Sequence, residues 1–196
     1  MVISDRYGFI LITPPKTGSE SLKRHLERFG FRAPQNMYSA HMVPGEIVKK
    51  PYVGIDRWDQ YMKVCFIRNP WDRYVSCYLY LNRHRVRAWG QTAFGSFETF
   101  LHTGGYEAMH LSEFLFWPND TMCVDFVGRF ERFDTDVMHL FDKLGIPRPP
   151  RVRHDNRINH PDRKPYQEYY TEQWMIDVVA EREQKLLSVH NYRFGD

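Results

Sequence analysis

Residues 8–22 read Gly8-Phe-Ile-Leu-Ile-Thr-Pro-Pro-Lys-Thr-Gly-Ser-Glu-Ser-Leu22, and the fold class follows from how this stretch divides. Residues 8–13 form a short, continuously apolar run, the pattern of a buried parallel strand. Pro14 and Pro15 stop it. Leu22, Leu26 and Phe29 then recur at i, i+4 and i+7, which predicts an amphipathic helix, and Gly30 stands where a glycine can close it. Strand, tight loop, helix is the opening unit of an α/β fold.

The same grammar continues outward. Residues 61–67 read as a second buried strand, followed by Asn69 as a cap and Pro70 at a first helical position. Trp71, Tyr74, Val75, Tyr78 and Leu79 line one side of that helix, with Asn69, Arg73, Ser76 and Tyr80 on the opposite, polar side. Residues 97–101 look helical, Gly104-Gly105 marks a turn, and residues 122–127 are a third strand candidate. Phe133, Val137, Leu140, Phe141 and Leu144 form a helical stripe ended by Gly145 and Pro147. Residues 147–165, rich in Pro, Arg, His and Asn, read as an ordered loop or a lid. Thr171 can cap a last helix reaching about residue 189, with Trp174, Met175, Val178, Val179, Leu186 and Leu187 inward. No linker interrupts the pattern. The expectation is a single domain over residues 1–196, a P-loop-like three-layer α/β fold with a central, mostly parallel sheet flanked by helices.

Composition narrows the function. At 196 residues, 42% hydrophobic and 26% charged, the chain is an ordinary soluble globule. Fourteen Phe, twelve Tyr and five Trp supply core bulk and flat surfaces for a ring-shaped ligand. A net charge of +3, evenly spread, is too modest for a nucleic-acid binder, but suits a polyanionic small ligand if the basic residues converge. Cys65, Cys77 and Cys123 sit among apolar neighbours without a CxxC pair, as buried thiols of a reducing compartment do. No leader or long apolar run is present, so the expectation is a cytoplasmic protein without a membrane span, or else a trimmed chain.

Two segments carry anion-binding chemistry. In the first, the helix N-terminus offers unpaired N–H groups and a partial positive charge. Gly18 lets the backbone wrap closely, Thr17, Ser19 and Ser21 add hydroxyls, and Lys16 adds full charge. The order differs from a Walker A loop, where the lysine follows the last glycine; here Lys16 precedes Gly18. In the second, Phe66-Ile-Arg-Asn-Pro-Trp-Asp-Arg-Tyr-Val-Ser-Cys-Tyr78, Arg68 lies where a strand gives way to a helix. That is the carboxyl edge at which α/β sheets bind ligands, and a guanidinium there can grip a phosphate bidentately. Ser76, two turns on, can add a hydroxyl. Each segment alone also has a plainer reading: a capped helix with an exposed lysine, and an Arg68–Asp72 pair with Ser76 facing solvent.

Together, Lys16-Thr-Gly-Ser-Glu-Ser-Leu22 resembles the 5′-phosphosulfate loop of sulfotransferases that use 3′-phosphoadenosine 5′-phosphosulfate (PAPS). Arg68-Asn-Pro-Trp-Asp-Arg-Tyr-Val-Ser76 resembles their 3′-phosphate motif. Order, context and spacing match, and the resemblance spans most of the chain, toward the glycan branch of heparan and chondroitin type. Ser39-Ala-His41-Met-Val-Pro-Gly-Glu-Ile47, Phe126-Val-Gly-Arg-Phe-Glu131, Asn156, Tyr169-Tyr-Thr-Glu172 and Tyr192-Arg-Phe194 resemble further shared stretches. Glu20 departs from the pattern, standing where many members carry a small residue, so it should point away from bound phosphates or serve the acceptor. The stretch 151–160 is also more basic than usual.

The resemblance implies sulfuryl transfer from PAPS to an acceptor hydroxyl, with a carbohydrate favoured. Lys16, Thr17, Gly18, Ser19, Ser21, Leu22, Arg68 and Ser76 would bind the nucleotide. Lys16 would stabilise the bridging oxygen, His41 would be the general base and Glu20 the reserve base. With no carboxylate cluster in view, no metal is expected to be required. His154 and His160 read as loop residues. Arg129 could line the site or pair with Glu131, and Arg151, Arg153 and Arg157 could close over a nucleotide, attract an anionic glycan, or simply be solvated. Two other functions fit parts of the pattern: a PAPS- or adenosine-bisphosphate-binding module without turnover, and a nucleotide or small-molecule kinase, against which the misplaced lysine argues.

Overall fold

The apolar run after Gly8 becomes the centre of a sheet because it is buried from both sides. β2 (Phe9–Leu11) is flanked on one side by β1 (Val2–Ser4) and on the other by β4 (Met62–Ile67), with β3 (Phe31–Arg32) and β5 (Phe126–Arg129) at the edges, in the order β3-β1-β2-β4-β5. The computed structural model describes residues 1–33, 41–84, 94–103, 110–154 and 163–196, with only the backbone of 83 and 84. Its other elements are α1 (Ser19–Leu26), α2 (Pro44–Ile47), α3 (Gly54–Gln60), α4 (Pro70–His84), α5 (Phe97–His102), α6 (Phe133–Lys143), α7 (Gln173–Arg182) and α8 (Gln184–His190). The fold is α/β, a five-stranded mixed sheet flanked by helices.

The sheet is less parallel than its apolar runs predict. β2 pairs parallel with β4 (Leu11 opposite Val64), and β4 parallel with β5 (Phe66 opposite Gly128). β1 instead folds back antiparallel on β2 (Ile3 opposite Ile10), and β3 adds antiparallel to β1. A hairpin needs only a tight turn, and Gly8 at φ 57 provides it. The third strand starts later than predicted, at Phe126 rather than residue 122. Asp125 explains the shift: its Oδ2 accepts the Lys63 N–H at 2.7 Å and pairs with Lys63 Nζ at 2.9 Å, so the ladder to β4 opens after it. Met122 is left exposed in an isolated bridge with Phe116.

The chain divides into two compact units, Met1–Ile67 with Leu111–Arg157, and Arg68–His110 with Ile158–Asp196. In the first, Phe9, Leu11, Val64 and Phe66 share one sheet face with Leu22 and Leu26 of α1 and Phe133, Val137, Leu140 and Phe141 of α6. Each such fully buried side chain contributes about 1.5–3 kcal/mol. Ile10, Cys65 and Ile67 alternate to the other face and are equally buried. α1 ends at Leu26 in a 3₁₀ turn, and Gly30 is extended rather than a left-handed helix stop. Its glycine is needed for a different reason: a Cβ there would lie 2.2 Å from the Ile3 carbonyl oxygen.

In the second unit, α4 is buried on both sides. Asn69, Arg73 and Ser76, expected on a solvent side, are each at most 4% exposed, and of that row only Tyr80 reaches water. Arg73 Nη1 meets Glu183 Oε1 at 3.2 Å with both side chains inaccessible. That pair also accounts for the split of the predicted last helix. α7 and α8 break at Glu183 (φ −108, ψ 17), which turns inward to the buried guanidinium. Thr171 does not cap this helix; Glu172 occupies the cap position, without a side-chain bond. α5 forms as predicted, capped by Ser96 Oγ on the Thr99 N–H. Gly104-Gly105, Asn156, Arg157 and His160 lie outside the described residues. Cys65, Cys77 and Cys123 are all buried thiols. Among the described residues no helix is long and apolar enough to cross a membrane.

Candidate active site

The loop after β2 is built for close backbone approach. Ile12 N–H continues the ladder to Val64 O at 2.8 Å, and then the prolines release the chain. Lys16 (φ 65) and Gly18 (φ 80) both take left-handed backbone. At Lys16 that geometry is uncommon for a side-chain-bearing residue, a cost typical of functional loops. Gly18 is the N-cap of α1, and a Cβ on it would fall 3.0 Å from Phe133 and 3.1 Å from Phe130. The glycine thus seats the helix start against α6 as well as turning the chain. No side chain caps α1, so a helix end of the kind that can hold an anion is left without a side-chain cap.

Of the residues predicted here, several are engaged differently than their chemistry alone suggested. The Thr17 hydroxyl donates to Pro14 O at 3.0 Å and closes the loop on itself. Its proton is therefore spent on the scaffold, leaving the oxygen only as an acceptor. Leu22 packs in the core, and its N–H is bonded to Gly18 O at 3.1 Å, so it supports the helix start without touching anything outside. Ser19 and Ser21 are buried in the first turn. Lys16 is half-buried.

Glu20 is turned to its own helix. Oε1 lies 2.5 Å from Lys23 Nζ and Oε2 lies 3.3 Å from Arg32 Nη2. Partial burial alone would raise its pKa, but the Lys23 hydrogen bond and the Lys23 and Arg32 charges outweigh that and hold it below the ordinary carboxylate range. A carboxylate so held is a weak proton acceptor. Lys23, only 1% exposed, was not singled out by the sequence reading. The one available signal was its i, i+3 spacing from Glu20.

His41 is brought to the first residue of the same loop. Its Nδ1 lies 2.7 Å from Thr13 O. A carbonyl oxygen can only accept, so Nδ1 carries the proton and Nε2 carries the lone pair. Burial lowers the pKa of His41, the bond to Thr13 opposes that, and the Lys23 charge adds to the lowering. The ring is therefore neutral near pH 7 and able to accept a proton.

β2 and β4 are adjacent and parallel, so both end at the same edge of the sheet. The first leads into the Lys16 loop, and after the second the chain enters the other unit at Arg68. Within that unit Arg68 is buried and bonded through Nε (2.8 Å) and Nη2 (2.6 Å) to Asp72 Oδ2. The plainer reading of Arg68 is thus realised as a contact. The solvent-facing reading of Ser76 is not, because Ser76 is buried. Arg163 Nη2 bonds to the other oxygen of Asp72. Asn69 caps α4 as predicted, with Oδ1 accepting from the N–H groups of Trp71 (3.1 Å) and Asp72 (3.3 Å).

Arg129 gives its backbone N–H to Asp136 at 2.7 Å, and the Arg153 N–H donates to His25 Nε2 at 2.8 Å, tying the basic segment to α1. His154 Nε2 lies 2.6 Å from Asp134. Among the described residues there is no group of three or more His, Cys, Asp or Glu arranged for a metal ion.

A sequence profile described as the sulfotransferase family matches residues 1–187, a span that holds both anion-binding segments. The chain belongs to the sulfotransferase family. An uncharacterized protein of Archaeoglobus fulgidus is 32% identical to this sulfotransferase-family chain over 103 residues, covering 52% of the chain and 82% of that protein. No solved structure matches the chain. Membership supports sulfuryl transfer in general terms.

Proposed function

We propose that the protein transfers the sulfuryl group of PAPS to an acceptor hydroxyl, with a carbohydrate the favoured acceptor class. The first-turn N–H groups of α1, with Ser19 and Ser21, hold the phosphosulfate end, and Gly18 allows its close approach. Arg68 and Ser76 serve the 3′-phosphate. In an in-line displacement the bond from sulfur to the bridging phosphate oxygen breaks while the acceptor oxygen bonds to sulfur. The acceptor proton passes to His41 Nε2, and Lys16 stabilises the charge left on the bridging oxygen of adenosine 3′,5′-bisphosphate. Glu20, committed to Lys23 and Arg32, keeps a structural part. The buried thiols support a reducing, cytoplasmic setting, and we read residues 1–196 as one sulfotransferase domain.

The observation that carries this reading is the bond from His41 Nδ1 to Thr13 O. It fixes the tautomer a general base requires and fastens the ring to the loop that bears Lys16. The test is His41→Ala, followed by turnover with labelled PAPS and calorimetric binding of adenosine 3′,5′-bisphosphate. Turnover should fall by about 10²–10⁴-fold while nucleotide affinity stays unchanged. Full turnover in H41A would remove the base assignment. Tight nucleotide binding with no product from any of a broad set of hydroxyl acceptors would favour a binding module instead.

A further inference from the structure

Asp72 is shared by two guanidiniums within the second unit. Its Oδ2 takes Nε and Nη2 of Arg68, a side-on contact that fixes the guanidinium plane, and its Oδ1 takes Nη2 of Arg163. Side-chain exposure grades outward from 5% at Arg68, through 18% at Asp72, to 27% at Arg163, so the cluster reaches the surface on the Arg163 side. One carboxylate balances one of the two charges and leaves a net +1 on the three side chains. A guanidinium carries five N–H donors, and Arg163 gives one of its own to Asp72.

The start of α4 needs such side chains if it is to hold an anion. Asn69 already occupies the N–H groups of Trp71 and Asp72, so this helix end offers less backbone than α1 does. Two guanidiniums gathered on a shared carboxylate suit a phosphate monoester, which brings two negative charges and three acceptor oxygens.

Resting on the reading of Arg68 as a 3′-phosphate contact, we propose that Arg163 is a second contact to the same phosphate, and that Asp72 is the positioning residue that holds both arginines for it. Arg163 then discriminates a nucleotide bearing a 3′-phosphate from one with a 3′-hydroxyl. Asp72 acts through the arginines and never meets the ligand.

The test is calorimetric titration of adenosine 3′,5′-bisphosphate and adenosine 5′-monophosphate into the wild-type chain and into R163A, R163K and D72N, each with a melting curve. The wild type should prefer the bisphosphate. R163A should shrink that preference about tenfold, the size of one lost charge-assisted contact, with 5′-monophosphate affinity unchanged, and R163K should restore part of it. D72N should shrink it likewise, again without weakening the monophosphate. Undiminished preference in R163A overturns the assignment of Arg163. Equal weakening of both nucleotides in D72N, with a lowered melting temperature, overturns the positioning role of Asp72. Should D72N not fold, the R163A and R163K titrations decide. Should the wild type bind both nucleotides equally, the 3′-phosphate reading of Arg68 itself fails and the clamp falls with it, a result distinct from the other two.

Discussion

The start of α1 and the start of α4, to which the proposed function gives the same task of holding negative charge, are built in opposite ways. At α1 the helix end has no side-chain cap, the glycine beneath it is packed on Phe133, and the cation, Lys16, is half-buried on left-handed backbone. At α4 the helix end is capped by Asn69, and the cations are buried arginines each tied to a carboxylate, Arg68 to Asp72 and Arg73 to Glu183. The first arrangement leaves the helix end without a side-chain cap. The second ties its cations to carboxylates and holds them in place. Much of the charge at α4 thus also holds the fold.

That contrast can be broken most forcefully at Glu183. Glu183→Ala takes the paired carboxylate from the inaccessible Arg73 guanidinium, and should cost about 3–5 kcal/mol of stability, read from urea unfolding. A loss under 1 kcal/mol would mean that Arg73 has another way to be satisfied. Lys16→Ala should show the reverse profile. Turnover should drop about a hundredfold or more, while stability stays within about 0.5 kcal/mol because Lys16 is not among the buried core residues. A destabilised K16A with normal turnover would erase the distinction between the two helix ends.

The smallest effect concerns His41. Only its neutral form accepts a proton, and burial together with the Lys23 charge depresses its pKa. The acid limb of kcat/KM should therefore lie below the ordinary histidine range, activity being lost as pH falls through the depressed value. Lys23→Met removes one of the depressing charges, so the limb should move to higher pH while the plateau rate changes little. An unmoved limb in K23M would separate Lys23 from His41.

Legibility followed the physics of each segment. Unbroken apolar runs located β2 and β4, and a stripe repeating at 3.6 residues located α1, α4 and α6, because burial on both faces or on one imposes those patterns whatever lies elsewhere in the chain. The β1–β2 hairpin was missed because Val2–Ser4 is only three residues long, too short to show a period. The split of the last helix was hidden because Glu183 looks solvated until its partner, 110 positions away in sequence, is known. At the candidate site the residue types were readable, but their commitments were not. Nothing in Thr17 announces that its proton goes to Pro14, and Lys23 reads as a surface lysine beside Glu20. The Arg68–Asp72 spacing of four was visible, whereas Arg163, far along the chain, could be joined to them only in space.

The placement of the cysteines gives the molecule its own set of reporters. Cys65 and Cys123 lie in the first unit and Cys77 in the second, all three out of solvent. Burial pushes the Cys65 thiol far above the ordinary cysteine value, so the closed form should be inert to alkylation. Any labelling must wait for an opening. Mass mapping of which thiol is modified, and how fast, would then time the loosening of each unit separately, without a single engineered probe.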